Sequence, residues 1–370
     1  MSQENYNQGR SARRKREKKR KRRTVRLIFL AMLAISGVII LKVFGDIGTA
    51  YNSVFSPIQT EDLRKQSATI KSSQPISILL MGLDNGYGDV RSNDEPARSD
   101  TMMLLTLNPQ TNESKLLSLP RDIYTEIVGH NTFEKLNHAH AYGGPEMTIN
   151  TIQQLINVPI DYYVSVNMDG LKQLVDAVGG IDIVSPLTFT FDDIPFIAGE
   201  EVRLDGERAL AFSRMRYEDP KGDLGRQERQ QIVVEAILEK ATRLDILTHY
   251  NDVLDTLKDN VRTNLRLNDL ITLQSKYMAA AKNIESVHVY VHAMNVDQLD
   301  YLFVSKPELL KVSNALRNNL SLDQLTLDDI KSIYAPGLSD YYNDPNADET
   351  NDQGYFEYES SKDGTLYPIN

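Results

Sequence analysis

The hydrophobic pattern of this chain changes character twice. Residues 1–26 are polar and basic, and Leu27 to Leu41 (LIFLAMLAISGVIIL) is an uncharged apolar run that Lys42-Val43-Phe44 extends. At 1.5 Å per residue, about eighteen such residues nearly cross a hydrocarbon core of roughly 30 Å, with Lys42 snorkelling outward. The pattern predicts a transmembrane anchor over 25–44 behind a basic tail over 1–24. A basic flank before a single apolar span places the N-terminus in the cytoplasm and the rest of the chain outside the membrane. A cleaved signal peptide is the rival reading, since Gly48-Thr49-Ala50 is small enough for cleavage; the length of the clean run favours an uncleaved anchor.

Residues 45–74 are mixed and polar and read as an extracellular stalk with a short helix. From Ile76 the pattern turns to strands. Ile76–Leu83 (ISILLMGL), Thr101–Leu107 (TMMLLTL) and Lys115–Leu119 (KLLSL) are short apolar runs, the last two joined as a hairpin by Asn108-Pro109-Gln110-Thr111-Asn112. Asp161–Asn167 and Ile181–Ser185 read as further strands, and Phe189–Arg203 as a β excursion. Helices are expected over Pro145–Leu155, with proline in the first turn, and Met168–Val178, stopped by Gly179-Gly180. More follow from the Asp205 cap, from about Gly225 to Leu244, and over 246–282 and 306–318. Strands alternating with helices predict an α/β sheet covered on both faces, within a folded domain over 75–330. From Asp340 on, eight acidic residues, one Lys and no periodic apolar face make 331–370 a flexible acidic tail.

Composition narrows the chemistry. With 41% hydrophobic and 25% charged residues among 370, a packed core is within reach. The absence of cysteine excludes disulfides, thiolate zinc sites, iron–sulfur clusters and a cysteine nucleophile. The net charge of −10 hides an asymmetry. Residues 1–26 hold twelve Lys or Arg against two Glu, so the remaining chain carries −20.

Charged residues punctuate the strand ends, where α/β sheets build their sites. Asp84 ends the first run, Arg98-Ser99-Asp100 opens the second, and Arg121-Asp122 follows the third. The densest cluster is Phe212-Ser213-Arg214-Met215-Arg216-Tyr217, then Asp223-Leu224-Gly225-Arg226-Gln227-Glu228-Arg229-Gln230. If extended, Arg214 and Arg216 face one side. On the following helix Arg226, Arg229 and Gln230 share a face. Cations in a first helical turn oppose the helix dipole, and a bound phosphate or pyrophosphate would resolve that conflict. Asp84 and Asp100 could hold a Mg²⁺ that shares the same anion. Against this stands a plain alternative, in which the arginines pair with Asp219, Asp223 and Glu228 on the surface. Lys135 is a candidate phosphate contact. His138 and His140 read as a polar loop or helix start rather than metal ligands. Ile232, Val233, Ala236 and Ile237 read as core before lipid channel. No GxSxG, P-loop or HExxH motif is present.

The ordered segments LLMGLD, RSDTMMLLTLNP, SLPRD, KLNHAHAYGG, DYYVSVNMDGLKQLVDAVGGIDI, LDGERALAFSRMR and DLGRQERQQ, behind a basic tail and single anchor, resemble the LytR-CpsA-Psr family over about residues 75–245. The resemblance implies an α/β/α sandwich with a central mixed sheet and an apolar pocket for a lipid tail. It implies a phosphotransferase on the outer face of a Gram-positive cell membrane. Such an enzyme moves a glycopolymer (teichoic acid, capsule or another wall polysaccharide) from a polyprenyl-pyrophosphate carrier to peptidoglycan, through a phosphodiester. By the same resemblance Asp84 and Asp100 are the ligands of Mg²⁺, or of Mn²⁺ in its place. Arg121, Arg214, Arg216 and Arg226 are catalytic. Arg98, Lys135, Asp223, Arg229 and Gln230 bind the pyrophosphate. The partners are the lipid-linked glycan, peptidoglycan and membrane lipid. The long acidic loop between Asp84 and Arg98 departs from the family pattern.

Other classes make different demands. A transcriptional attenuator would need DNA binding, yet the basic block lacks aromatic interleaving or a helix-turn-helix pattern, so no nucleic-acid partner is expected; its place beside the anchor suits anionic lipid. A surface adhesin or scaffold that binds wall polymer without chemistry predicts no loss of activity when Arg214 is removed. A pyrophosphatase acting on the carrier needs the same residues and differs only in its acceptor.

Overall fold

The computed structural model describes residues 55–60, 63–64, 68–84, 96–241, 260–277, 279–280, 284–331, 356–360 and 366–368. The basic tail, the anchor and the loop 85–95 lie outside the described residues. Among the described residues no helix is long and apolar enough to cross a membrane.

The elements run β1 (Ile76–Asp84), β2 (Arg98–Asn108), β3 (Glu113–Leu119), β4 (Tyr124–Ile127), β5 (Thr132–Lys135), α1 (His138–Ile156), β6 (Tyr162–Asn167), α2 (Met168–Ala177), β7 (Ile181–Val184), β8 (Phe189–Phe191), β9 (Ile194–Phe196), β10 (Glu201–Leu204), α3 (Gly206–Arg214), α4 (Asp223–Ala241), β11 (Val261–Thr263), α5 (Leu267–Lys276), β12 (Ile284–Val287), β13 (His292–Val296), β14 (Leu299–Phe303), α6 (Lys306–Asn319), β15 (Phe356–Ser360) and β16 (Leu366–Pro368).

Six strands form the central sheet in the order β11-β6-β1-β2-β3-β12. β1–β2, β2–β3 and β6–β11 are antiparallel, while β1–β6 and β3–β12 are parallel, so the sheet is mixed. Met102 to Leu107 on β2 are all buried, which a central strand covered on both faces requires. Alternate side chains feed two cores. Ile76, Ile78, Met103 and Leu105 meet Val175 of α2, Phe212 of α3, Val233 of α4 and Leu273 of α5. Leu79, Met81, Met102 and Leu104 meet Ile149 and Ile152 of α1 and Leu309 and Leu316 of α6. Each buried aliphatic side chain contributes about 1.5–3 kcal/mol, so the sheet is clamped between two helical layers.

The helices begin where side-chain caps allow. Asn167 accepts from Gly170 N at the start of α2, Asp205 from Arg208 N at α3, and Ser305 from Glu308 N at α6. Gly206 opens α3 because nothing larger fits. A Cβ there would stand 2.3 Å from the Lys172 carbonyl oxygen of α2.

Several expectations need correction. The described part of 45–74 is docked on the domain. Arg64 pairs with Asp161 at 2.9 Å, and Ile70 is buried in a short 3-10 turn. The segment 246–282 is not uniformly helical, since β11 pairs with β6 before α5 begins. β7 pairs with β10 outside the central sheet. The tail also carries structure: β15 runs parallel to β13 and β16 pairs with β15. Ladder hydrogen bonds along a neighbour's edge need no apolar periodicity of their own, which is why the pattern hid them.

Candidate active site

Three strands of the central sheet end at one edge, and their ends carry the charges. Asp84 closes β1 and is the register partner of Arg98, which opens β2. Gly82 faces Thr101 and Leu83 faces Ser99, leaving Asp100 as an extra residue on β2. Such a bulge breaks the alternation and re-aims its side chain. Arg121 Nη1 donates to Asp100 Oδ2 at 2.5 Å, and Asn137 Nδ2 donates to Asp100 Oδ1 at 2.9 Å. Arg121 follows β3, and Asn137 immediately precedes α1. The strand-end positions of Asp100 and Arg121 were legible in the sequence; their pairing with each other was not. Asn137 was missed, because an amide ahead of two histidines carries no motif of its own.

The α4 N-terminus faces this edge. Three guanidinium groups converge on Asp223 Oδ1: Arg226 Nη2 at 2.7 Å, Arg121 Nη2 at 3.5 Å and Arg216 Nε at 3.6 Å. Lys135 Nζ stands 2.9 Å from Asp122 Oδ1, and Asp122 lies 3.5 Å from Arg121 Nε. The described ion pairs thus join Asp100, Arg121, Asp122, Lys135, Arg216, Asp223 and Arg226 into one network of four cations and three carboxylates. Burial disfavours the charge on Arg121, but Asp100, Asp223 and Asp122 outweigh it and raise its pKa. Arg226 moves the other way. Burial and the neighbouring Arg121 depress it, and Asp223 and Asp100 offset that only partly. Arg121 Nε, Arg226 Nε and Arg226 Nη2 are buried without a hydrogen-bond partner of suitable geometry. Buried donors in that condition are costly unless a ligand completes them.

The remaining candidates fall into different places. Gln230 accepts from Thr101 Oγ1 at 2.7 Å, which ties α4 to β2 beside Asp100. Arg216 is exposed on the loop after α3. Arg214 is the half-buried last residue of α3, so the extended geometry that would put Arg214 and Arg216 on one side does not form. Arg229 is the clearest correction. Its side chain is 0% exposed. It donates to the Phe212 and Met215 carbonyls at the C-terminus of α3 and pairs with Asp219. Helix C-termini leave carbonyls unsatisfied, and a buried guanidinium satisfies two of them here. Arg229 therefore positions the loop bearing Arg216 and is not placed to touch a pyrophosphate with the others. The surface-pairing alternative is half right. Arg229–Asp219 and Arg226–Asp223 do pair, but in buried positions; Arg216, which also approaches Asp223, is the exposed arginine of that set, and Glu228 pairs with Lys221 instead. His138 and His140 open α1, as expected. Val233, Ala236 and Ile237 are core, with Ile232 packed against it.

The donor set suits a divalent cation only in one way. Among the described residues no group of three acidic or histidine side chains could hold a metal. Both Asp100 oxygens already accept one hydrogen bond each, and Asn137 Oδ1 is buried and unpartnered beside them. That environment fits a cation bound by one or two carboxylates and completed by phosphate oxygens, the usual habit of Mg²⁺, and does not fit an all-protein cage.

The whole arrangement, a ring of guanidinium groups and acidic side chains at strand ends and a helix N-terminus, extends over the region matched by one family. The sequence model of the LytR_cpsA_psr family matches residues 47–318. The chain belongs to the LytR_cpsA_psr family. Among curated relatives, the polyisoprenyl-teichoic acid–peptidoglycan teichoic acid transferase TagU of Bacillus cereus is 38% identical over 301 residues, covering 79% of this chain and 97% of that protein. TagU of Halalkalibacterium halodurans is 40% identical over 261 residues, 70% of this chain and 84% of that protein. Among solved structures, an Enterococcus faecalis protein described as a transcriptional regulator is 43% identical with a TM-score of 0.62, over 70% of this chain and 92% of its own. Bacillus subtilis TagU is 34% identical with a TM-score of 0.54, over 68% and 100%. TagT bound to LIIa-WTA is 29% identical with a TM-score of 0.58, over 71% and 97%.

Proposed function

We propose that this protein is a membrane-anchored phosphotransferase of the cell surface that moves a wall glycopolymer, of the teichoic acid class, from a polyprenyl-pyrophosphate carrier to peptidoglycan. The observation that carries the reading is the convergence of Arg121, Arg216 and Arg226 on one carboxylate oxygen at the α4 N-terminus, with buried guanidinium nitrogens still to be satisfied. Oriented N–H groups and arginine forks at a helix N-terminus are suited to a pyrophosphate. The relatives named as teichoic acid transferases support the choice of substrate.

In this reading Arg121 and Arg226 grip the pyrophosphate, and Arg98, Lys135, Arg214 and Arg216 surround it. A sugar hydroxyl of peptidoglycan attacks the phosphorus next to the glycan and releases its proton to water. The P–O bond to the polyprenyl phosphate breaks, and the arginines stabilise charge on the transferring and leaving oxygens. Asp84 and Asp100 would hold Mg²⁺, or Mn²⁺ in its place, which would supply further charge neutralisation on phosphoryl oxygens. Asp223 keeps the guanidinium groups aligned before substrate arrives. The segment 25–44 would hold the domain at the outer membrane face, where the lipid carrier lies.

The test uses the full chain in detergent with a polyprenyl-pyrophosphate-linked teichoic acid disaccharide, peptidoglycan oligosaccharides and Mg²⁺. Covalently joined product should form and disappear with EDTA or in Arg121→Ala. Carrier cleavage without joining would make the protein a pyrophosphatase. No carrier turnover at all would defeat the proposal.

A further inference from the structure

The segment KLNHAHAYGG contributes Lys135 and Asn137 to the charged network and leaves its aromatic residues unexplained. Tyr142 is 43% exposed at the end of the first turns of α1. Gly143 and Gly144 follow with non-helical backbone, Gly144 at φ +62°, so the chain swings away directly after it. The His130 ring stacks on Tyr142 at 3.9 Å and 8°. His130 shares a 2.8 Å hydrogen bond with Thr132. The edge of His138 meets Tyr142 at 6.0 Å, and His138 Nδ1 stands 3.2 Å from Glu134 Oε2. An exposed tyrosine gains little from burial, and fixing its rotamer costs conformational entropy. Two histidines hold this one nevertheless, each tied in turn by a neighbour of its own, which is the mark of a surface organised in advance of a ligand.

Its location narrows the ligand. Glu134 adjoins Lys135, which is tied to Asp122; His138 adjoins Asn137, which is tied to Asp100. Burial and the Glu134 carboxylate raise the pKa of the Tyr142 hydroxyl, and Arg98 offsets them only partly. The platform therefore abuts the arginine network. It offers an apolar ring face and, at its edge, a carboxylate 31% exposed and an imidazole 20% exposed. His138 Nδ1 is engaged by Glu134, which leaves the carboxylate's other lone pairs as acceptors and the ring's Nε2 for a hydroxyl. Apolar face plus acceptors is the complement of a pyranose ring, with its C–H face and hydroxyl donors. We infer that the His130–Tyr142 stack, with Glu134 and His138 at its rim, is a pyranose-binding subsite beside the phosphate site. The inference rests on the transferase reading for its two sources of sugar, the peptidoglycan acceptor or the first sugar of the donor glycan.

The experiment measures binding, so it does not depend on turnover. The full chain in detergent is titrated with a soluble peptidoglycan disaccharide and, separately, with a donor-type glycan disaccharide lacking pyrophosphate. Wild type, Tyr142→Ala, Tyr142→Phe and His130→Ala are compared, with circular dichroism to confirm folding. One disaccharide should bind about tenfold more weakly to Tyr142→Ala and several-fold more weakly to His130→Ala, while Tyr142→Phe stays within twofold of wild type. Which disaccharide responds identifies the source. Equal binding to wild type and Tyr142→Ala overturns the inference. So does a Phe variant as weak as the Ala variant, or no binding of either sugar to wild type. Absence of joined product in the transfer assay would instead strike the functional reading and leave this result standing.

Discussion

Replacing Arg229 by Met separates positioning from catalysis. The side chain is fully buried, holds the Phe212 and Met215 carbonyls, and neutralises Asp219. Methionine fills similar space but leaves two buried carbonyls without this donor and the Asp219 carboxylate, 8% exposed, without its cation and held only by the Lys221 N–H. Breaking a buried pair from one side costs about 3–5 kcal/mol. The orphaned carbonyls push toward the upper end, while solvent reaching Asp219 from its loop pulls the other way. About 4 kcal/mol is a large share of the roughly 5–15 kcal/mol that holds a typical domain folded. At roughly 2–4 °C per kcal/mol, the midpoint should fall by about 10 °C. Thermal unfolding of the full chain in detergent, followed by far-ultraviolet circular dichroism because the chain has no tryptophan, measures it. Transfer activity below the lowered midpoint should fall much less than in Arg121→Ala. A variant as stable as wild type yet inactive would show that Arg229 serves the substrate, and the positioning account would be wrong.

Three further outcomes follow from the same geometry. Asp223→Asn removes the charge that aligns three arginines, so inorganic pyrophosphate should bind several-fold more weakly by calorimetry; tighter binding would mean that the carboxylate only competes with the anion and does not align them. Gly206→Ala would press a methyl group against the Lys172 backbone, and the loss should exceed the roughly 0.5–1 kcal/mol that alanine usually gains over glycine in a helix, seen as a lower unfolding midpoint. Burial pushes the Asp219 carboxyl up, but the Lys221 N–H and the Arg229 guanidinium outweigh it and hold its pKa below the ordinary value. Its contribution is therefore complete above about pH 4 and lost as pH falls through the lower folded value, so the stability gap between wild type and Asp219→Asn should be level from pH 7 to 5 and close in stronger acid.

Local order is what the amino-acid pattern determines well. The apolar runs of β1, β2 and β3 are continuous because both sheet faces are covered, and such runs are visible without any partner in view. The cap Asp205 acts within three residues, so it too is legible. The charges at strand ends were legible for a related reason. A polar residue that breaks an apolar run must lie at the run's end, and the ends of β1, β2 and β3 share one edge of the sheet.

Pairing across the chain is what only the tertiary structure decided. Arg226 and Arg229 lie three residues apart on one helix and look equivalent in one dimension. Arg226 reaches Asp223 in the charged network, while Arg229 is drawn under the C-terminus of α3, because that is where buried carbonyls remain to be satisfied. Asn137 gains its role only when β5 and α1 bring it to Asp100, 37 residues away in sequence. β12 and β15 lack a pattern of their own and become strands because β3 and β13 present open edges. Residue identity sets which interactions a side chain is capable of, and the packed fold sets which of them it is left to make.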